Sequence, residues 1–161
     1  MMDKALKVSP KDVFLHLLAI VTLYTSGIGF LVLIFQYVNV LFPDPVSNGG
    51  YYAFNSAYNA IRWSISSLLV VFPVYLFTAR HLFKNYEKNS SKRDLRIRKW
   101  LIYFTLFAAS LIIIGDLVTL INNLLGGELT IRFLIKVAAV FFVAASVFVY
   151  YLWELRRYKT E

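Results

Sequence analysis

Four long apolar stretches follow one another along this chain, separated by short polar segments. Between Asp12 and Asp44 there is no acidic side chain, lysine or arginine, and the apolar run covers 13–41. As a helix it measures roughly 43 Å at about 1.5 Å per residue. That exceeds the roughly 30 Å hydrocarbon core, so the helix tilts or projects. A second stretch covers 63–82, where Pro73 predicts a kink. The third, 100–125, is interrupted by one charge, Asp116, and the fourth, 131–153, holds Lys136 in its first turns. A bilayer-crossing helix needs about 20 mostly apolar residues, because its backbone amides find no partners in lipid. The pattern predicts an all-α fold: a four-helix transmembrane bundle of two helical hairpins. It forms a single domain over 1–161, with a basic loop at 83–99 and a longer loop around 43–60 closing the first hairpin.

Composition sharpens this reading. Hydrophobic residues make up 59% and charged residues 16%, where soluble domains hold about 45–50% and about 25%. With a mean hydropathy of +0.63, the chain has too little polar surface to clothe a soluble bundle. Cysteine is absent, which removes disulfides, thiol nucleophiles, iron–sulfur clusters and cysteine zinc sites together. The first stretch is too long for the apolar core of a cleaved signal, about 7–15 residues, and no small-residue cleavage site follows it. It reads as a retained helix.

Orientation follows from lysine and arginine in the short loops. Lys4, Lys7 and Lys11 precede the first span. Arg80, Lys84, Lys88, Lys92, Arg93, Arg96, Arg98 and Lys99 lie in and beside the middle loop, and Arg156, Arg157 and Lys159 follow the last span. These fourteen face three on the other side, Arg62, Arg132 and Lys136. Both termini and the middle loop are therefore expected in the cytoplasm, in a cell inner membrane. Trp63, Trp100 and Trp153 fall at expected interfaces, where amphipathic rings prefer to lie. The net charge of +8 comes mostly from this loop and suits anionic headgroups. Nucleic acid is not expected as a partner, since no folded basic surface with stacking aromatics is in view. The triplet Asn89-Ser90-Ser91 matches a glycosylation signal, but on the cytoplasmic side it is a chance match.

The two hairpins echo each other. Ile28-Gly29-Phe30-Leu31-Val32 resembles Ile114-Gly115-Asp116-Leu117-Val118, at an offset of 86 residues. Ile61-Arg62-Trp63 resembles Ile131-Arg132-Phe133 at an offset of 70, with Val70/Val140 and Phe72/Phe142 in register. Duplication and chance matching in apolar sequence both explain these pairs. A duplication would relate the hairpins by an axis along the membrane normal.

Charges inside a membrane are expensive and mark sites by default. Asp116 lies 16 residues beyond Trp100 and Lys136 lies 17 before Trp153, or roughly 24 and 26 Å along neighbouring helices. Arg132 shares the face of Lys136, and Thr119 and Asn123 share that of Asp116. With Arg62, Asn122 and Gln36 they form an expected cluster near the outer face. Two readings stay open: an ion pair of Asp116 with Lys136 or Arg132 that locks helix register, or a site for an anion, a headgroup or a proton. His16 and His81 near the cytoplasmic ends are the residues that would bind a b-type haem, although interfacial histidines are commoner and no cofactor is expected. Two histidines and a distant Asp do not make a metal site. There is no nucleophile motif, phosphate-binding loop or pair of carboxylates, so no enzymatic activity is expected.

Thr22/Ser26, Thr25/Gly29 and Thr105/Ala109 have the small-xxx-small spacing that lets membrane helices approach closely. The stretches Arg62-Trp63 through Val71-Phe72-Pro73-Val74-Tyr75, Ile114-Gly115-Asp116-Leu117 and Leu125-Gly126-Gly127-Glu128-Leu129-Thr130-Ile131-Arg132-Phe133 resemble a prokaryotic family of four-span membrane domains of unknown function. The resemblance covers about 9–157, with Gly-Gly-Glu-Leu-Thr as its most specific part. It implies four helices and a bacterial inner membrane, and no activity. The expected function is that of a non-enzymatic membrane subunit acting through helix association, as a homo-oligomer or with a membrane protein partner. The alternative is a small transporter or channel using the charged cluster; haem binding through His16 and His81 comes third.

Overall fold

The structure, a computed structural model, describes residues 8–43 and 50–159. Lys4 and Lys7 lie outside them. Helix α1 (Pro10–Leu41) opens on a capping box. The Asp12 amide donates to Ser9 Oγ at 3.2 Å, and the Ser9 amide donates back to Asp12 Oδ2 at 3.4 Å, while Pro10 occupies a first-turn position that needs no amide proton. Helix α2 (Gly50–Lys88) runs through Pro73 without a break. A short 3-10 turn (Ser90–Asp94) leads to α3 (Arg96–Leu125), and α4 (Ile131–Lys159) completes the chain. No strand occurs among the described residues.

The loop expected around 43–60 is corrected: the chain is helical from Gly50 onward. Ala53, Ala57 and Ala60 favour helix, and Ala57 and Ile61 are buried on the side of α2 that meets α1. The basic loop is likewise shorter than 83–99. Helix continues to Lys88 and resumes at Arg96, because lysine and arginine extend a helix readily once it has left the hydrocarbon.

The turn between α3 and α4 is built by its glycines. The Glu128 amide donates to the Asn123 carbonyl at 3.1 Å and the Gly127 amide to that of Leu124 at 3.2 Å, the paired bonds of a Schellman motif. Gly127 has φ +72°, a left-handed backbone that disfavours any Cβ. Thr130 then caps α4, its hydroxyl accepting from the Phe133 amide at 3.2 Å.

Helix α1 is the hub. It packs along α2, and it also meets α4 and, over a shorter stretch, α3; α3 and α4 pack as the second hairpin. Among the described residues α2 makes no close backbone approach to α3 or α4. A two-fold relation between the hairpins would make α2–α3 the counterpart of α1–α4, so the packing is not two-fold symmetric. Of the most apolar 18-residue window in each helix, only 11–17% is buried within the protein. Exposed rings such as Trp63, Phe77 and Phe107 need lipid around them, and the chain is a multi-pass membrane protein of four apolar helices.

Candidate functional site

Small residues on α1, α3 and α4 hold these helices apart by less than full side chains, and the interior is not filled. Gly27, Ile28, Ala109, Ile112, Val143 and Ala144 are among the walls of a cavity of about 280 Å³ between the three helices. Towards the chain termini it is closed by Tyr24 and Thr105, whose hydroxyls share a hydrogen bond of 2.8 Å. Thr105 donates its own proton to the Leu101 carbonyl at 2.9 Å, so Tyr24 is the donor in this pair. A second, more open groove of about 450 Å³ flanks the α1–α4 seam on the α2 side, where Ser26, Phe30, Leu68 and Phe72 contribute.

Asp116 extends the cavity-facing row of α3, Thr105–Ala109–Ile112, by the next four-residue step. Its Oδ2 is buried and has no hydrogen-bond partner, and no ion pair with Lys136, Arg132 or Arg62 forms among the described residues. The two cations turn instead to a residue that sequence reasoning missed. Lys136 Nζ donates to Asn39 Oδ1 at 2.8 Å, and Arg132 Nη2 donates to the same oxygen at 3.1 Å. Asn39 in turn donates to Gln36 Oε1 at 3.2 Å, and Lys136 lies 5.4 Å from the centroid of the Phe35 ring. The structure thus brings together Lys136, Arg132 and Gln36 of the expected cluster. Arg62 and Asn122 are exposed, and the Asn123 side chain donates to its own helix, to the Thr119 carbonyl at 2.9 Å. The spacing of Gln36 and Asn39 was the available signal: three residues apart, they share a face of α1.

A second polar cluster lies at the termini end, assembled from all four helices. Arg98 of α3 is buried, with 7% of its surface exposed. It forms an ion pair with Glu154 of α4, donates to the Arg93 carbonyl at 3.0 Å, and stands 5.0 Å from the centroid of the Tyr86 ring of α2. His16 of α1 meets the Tyr86 hydroxyl through Nε2 at 2.5 Å and the Asp12 carbonyl through Nδ1 at 2.6 Å. Asp12 also pairs with Lys92 of the connecting turn at 3.2 Å. A cavity of about 100 Å³ sits among His16, Tyr75, Tyr86, Arg98, Tyr151 and Glu154. Sequence reasoning counted Arg98 and Lys92 only as topology-setting charges, and charge counting carries no information about burial.

Of the two histidines, both ring nitrogens of His16 are engaged. His81 is half-buried and does not line the cavity. It precedes Tyr86 by five residues, about 140° round the helix axis, so the face of α2 that meets His16 presents Tyr86. No group of three His, Asp or Glu side chains suited to a metal converges among the described residues.

These features sit within a recognised sequence family. The model of a domain of unknown function, DUF5671, matches residues 12–151. The chain belongs to that family. The match in this DUF5671 member begins at the Asp12 of the capping box and ends at Tyr151, so it takes in the cavity, the Asn39 cluster and the termini-end cluster except Glu154. No curated protein and no solved structure matches the chain.

Proposed function

We propose that this DUF5671 member is a non-enzymatic subunit of a bacterial inner membrane that works by helix association, with both termini and the basic turn in the cytoplasm. One observation carries the reading. The residues of α2 that face α1, namely Ala57, Ile61, Ser64, Leu68, Tyr75 and Thr78, are buried or half-buried. The opposite face repeats the same alternating four- and three-residue spacing, and all of it is exposed: Asn59, Trp63, Ser66, Val70, Pro73, Phe77 and Arg80. That spacing is the one a second helix reads as a packing seam, and Ser66 and Val70 at its centre are small enough for close approach. Because the chain has no cysteine, single cysteines at Ser66 and Val70 report on the seam directly. Cross-linking of these variants in native membranes is expected, with none from Leu111→Cys on the lipid face of α3. A lone monomer in both cross-linking and native mass measurements sinks the association reading.

The unpartnered carboxyl of Asp116 beside a cavity favours a second reading, a small transporter. The row between Thr105 and Asp116 is apolar, Ala109 and Ile112, so a path along this face requires a change of state. Flux of ions and protons in proteoliposomes, lost in a well-folded Asp116→Asn variant, supports transport. Cysteines at Thr119 and Asn123 that stay closed to aqueous reagents argue against it.

A further inference from the structure

We propose that the cavity between α1, α3 and α4 binds a membrane-partitioned organic cation, with Asp116 as its counter-charge. The pocket is partly open at the protein surface and, at about 280 Å³, is roomier than the ~150 Å³ in which an enclosed apolar cavity holds a benzene-sized molecule. Its walls are almost wholly apolar, so the body of the occupant is hydrocarbon or aromatic. Helix register puts one residue a turn beyond its lining on each helix: Phe35 after Leu31 on α1, Asp116 after Ile112 on α3, and Lys136 after Val140 on α4. Lys136 is held by Asn39 and the Phe35 ring, which leaves the Asp116 carboxyl with Oδ2 buried and unsatisfied.

A carboxylate alone in hydrocarbon is unfavourable, and its complement is a positive charge that loses little on leaving water. Alkylated ammonium and aryl phosphonium ions have that property. Metal ions do not, because these walls carry no set of oxygen ligands to replace their hydration shell. Tyr24 at one end adds an aromatic face that attracts a cation. Together the cation and the Asp116 carboxylate leave the cavity with no net charge. The proposal needs no partner helix and stands apart from association through α2.

The test is equilibrium binding of methyltriphenylphosphonium to the full chain in zwitterionic nanodiscs, with the neutral isostere 1,1,1-triphenylethane alongside. Wild type is expected to bind the cation saturably and at least tenfold more tightly than the isostere. Asp116→Asn should lose at least tenfold for the cation and nothing for the isostere, while Asp116→Glu retains binding. Lys136→Gln, which removes the like charge a turn beyond the lining, should tighten the cation. Ala109→Phe, which fills the cavity, should weaken both ligands. No saturable binding by wild type overturns the proposal, as does equal affinity for the two ligands, a comparison that needs no variant. Unchanged cation affinity in an Asp116→Asn protein with a normal melting curve overturns it too, and makes the cavity a site for uncharged lipid chains.

Discussion

Lys136 gives its hydrogen bond to Asn39, 2.8 Å away on α1, and none to Asp116 on the neighbouring helix of its own hairpin. A neutral amide thereby holds two cations, Lys136 and Arg132, no more than about 6 Å apart, since each lies within hydrogen-bonding distance of one oxygen. The contact ties the second hairpin to the first. A pairing of Asp116 with Lys136 would have tied α3 only to α4, which the Gly126-Gly127 turn already joins.

Asn39→Ala is therefore expected to lower stability by about 1–2 kcal/mol, at the low end for hydrogen bonds to charged groups because the cluster is half-buried. Asp116→Asn removes no hydrogen bond and is expected to leave the melting temperature in detergent unchanged. If Asp116→Asn melts as low as Asn39→Ala, the acid is a structural partner and the geometry above is wrong.

Arg98→Leu leaves Glu154 without its partner at the termini end and is expected to cost about 3–5 kcal/mol. Arg98→Lys should recover little, because an ammonium cannot hold Glu154 and the Arg93 carbonyl while lying flat over Tyr86. The double variant Arg98→Leu, Glu154→Leu should recover more than the lysine variant, since it leaves no buried charge unpaired. Melting temperatures of the three proteins decide the order.

His16 and Tyr86 are expected to behave as one unit. Tyr86→Phe keeps the ring under Arg98 but leaves His16 Nε2 unsatisfied, a loss of about 1–3 kcal/mol, and His16→Phe should cost about as much. The double variant should fall short of the sum by about 0.5–3 kcal/mol. Strict additivity in this double-mutant cycle would remove the hydrogen bond from the account.

Two glycines should respond in opposite directions to alanine. Gly127→Ala places a Cβ on a left-handed backbone, a penalty of about 1–2 kcal/mol. Gly115 sits inside α3 with nothing within 4 Å of an added Cβ, so Gly115→Ala should gain up to about 1 kcal/mol of helix propensity. Equal effects at the two positions in a thermal melt would contradict this.

Hydrophobic patterning alone determined that the chain is all-α, that four helices cross a membrane, and that Gly126-Gly127 turns α3 into α4. The reason is local: lipid forces every backbone amide into its own helix, so length and apolarity suffice to read a span. Helix ends were less legible. The start of α2 at Gly50 depends on Ala57 and Ile61 finding α1, and the run of 83–99 looked like a loop because its charges end the apolar signal while the helix continues. The partners of polar side chains were decided by tertiary structure. Counting along the helices suggested one level, and so a pair, for Asp116 and Lys136. Rotation about the helix axes and the identity of the facing helix then sent Lys136 to Asn39 and left Asp116 beside a cavity. Arg98 and Glu154 are 56 residues apart and meet because α4 packs back along α3, with a rotation of the two helices about their axes that no periodicity within a single helix encodes.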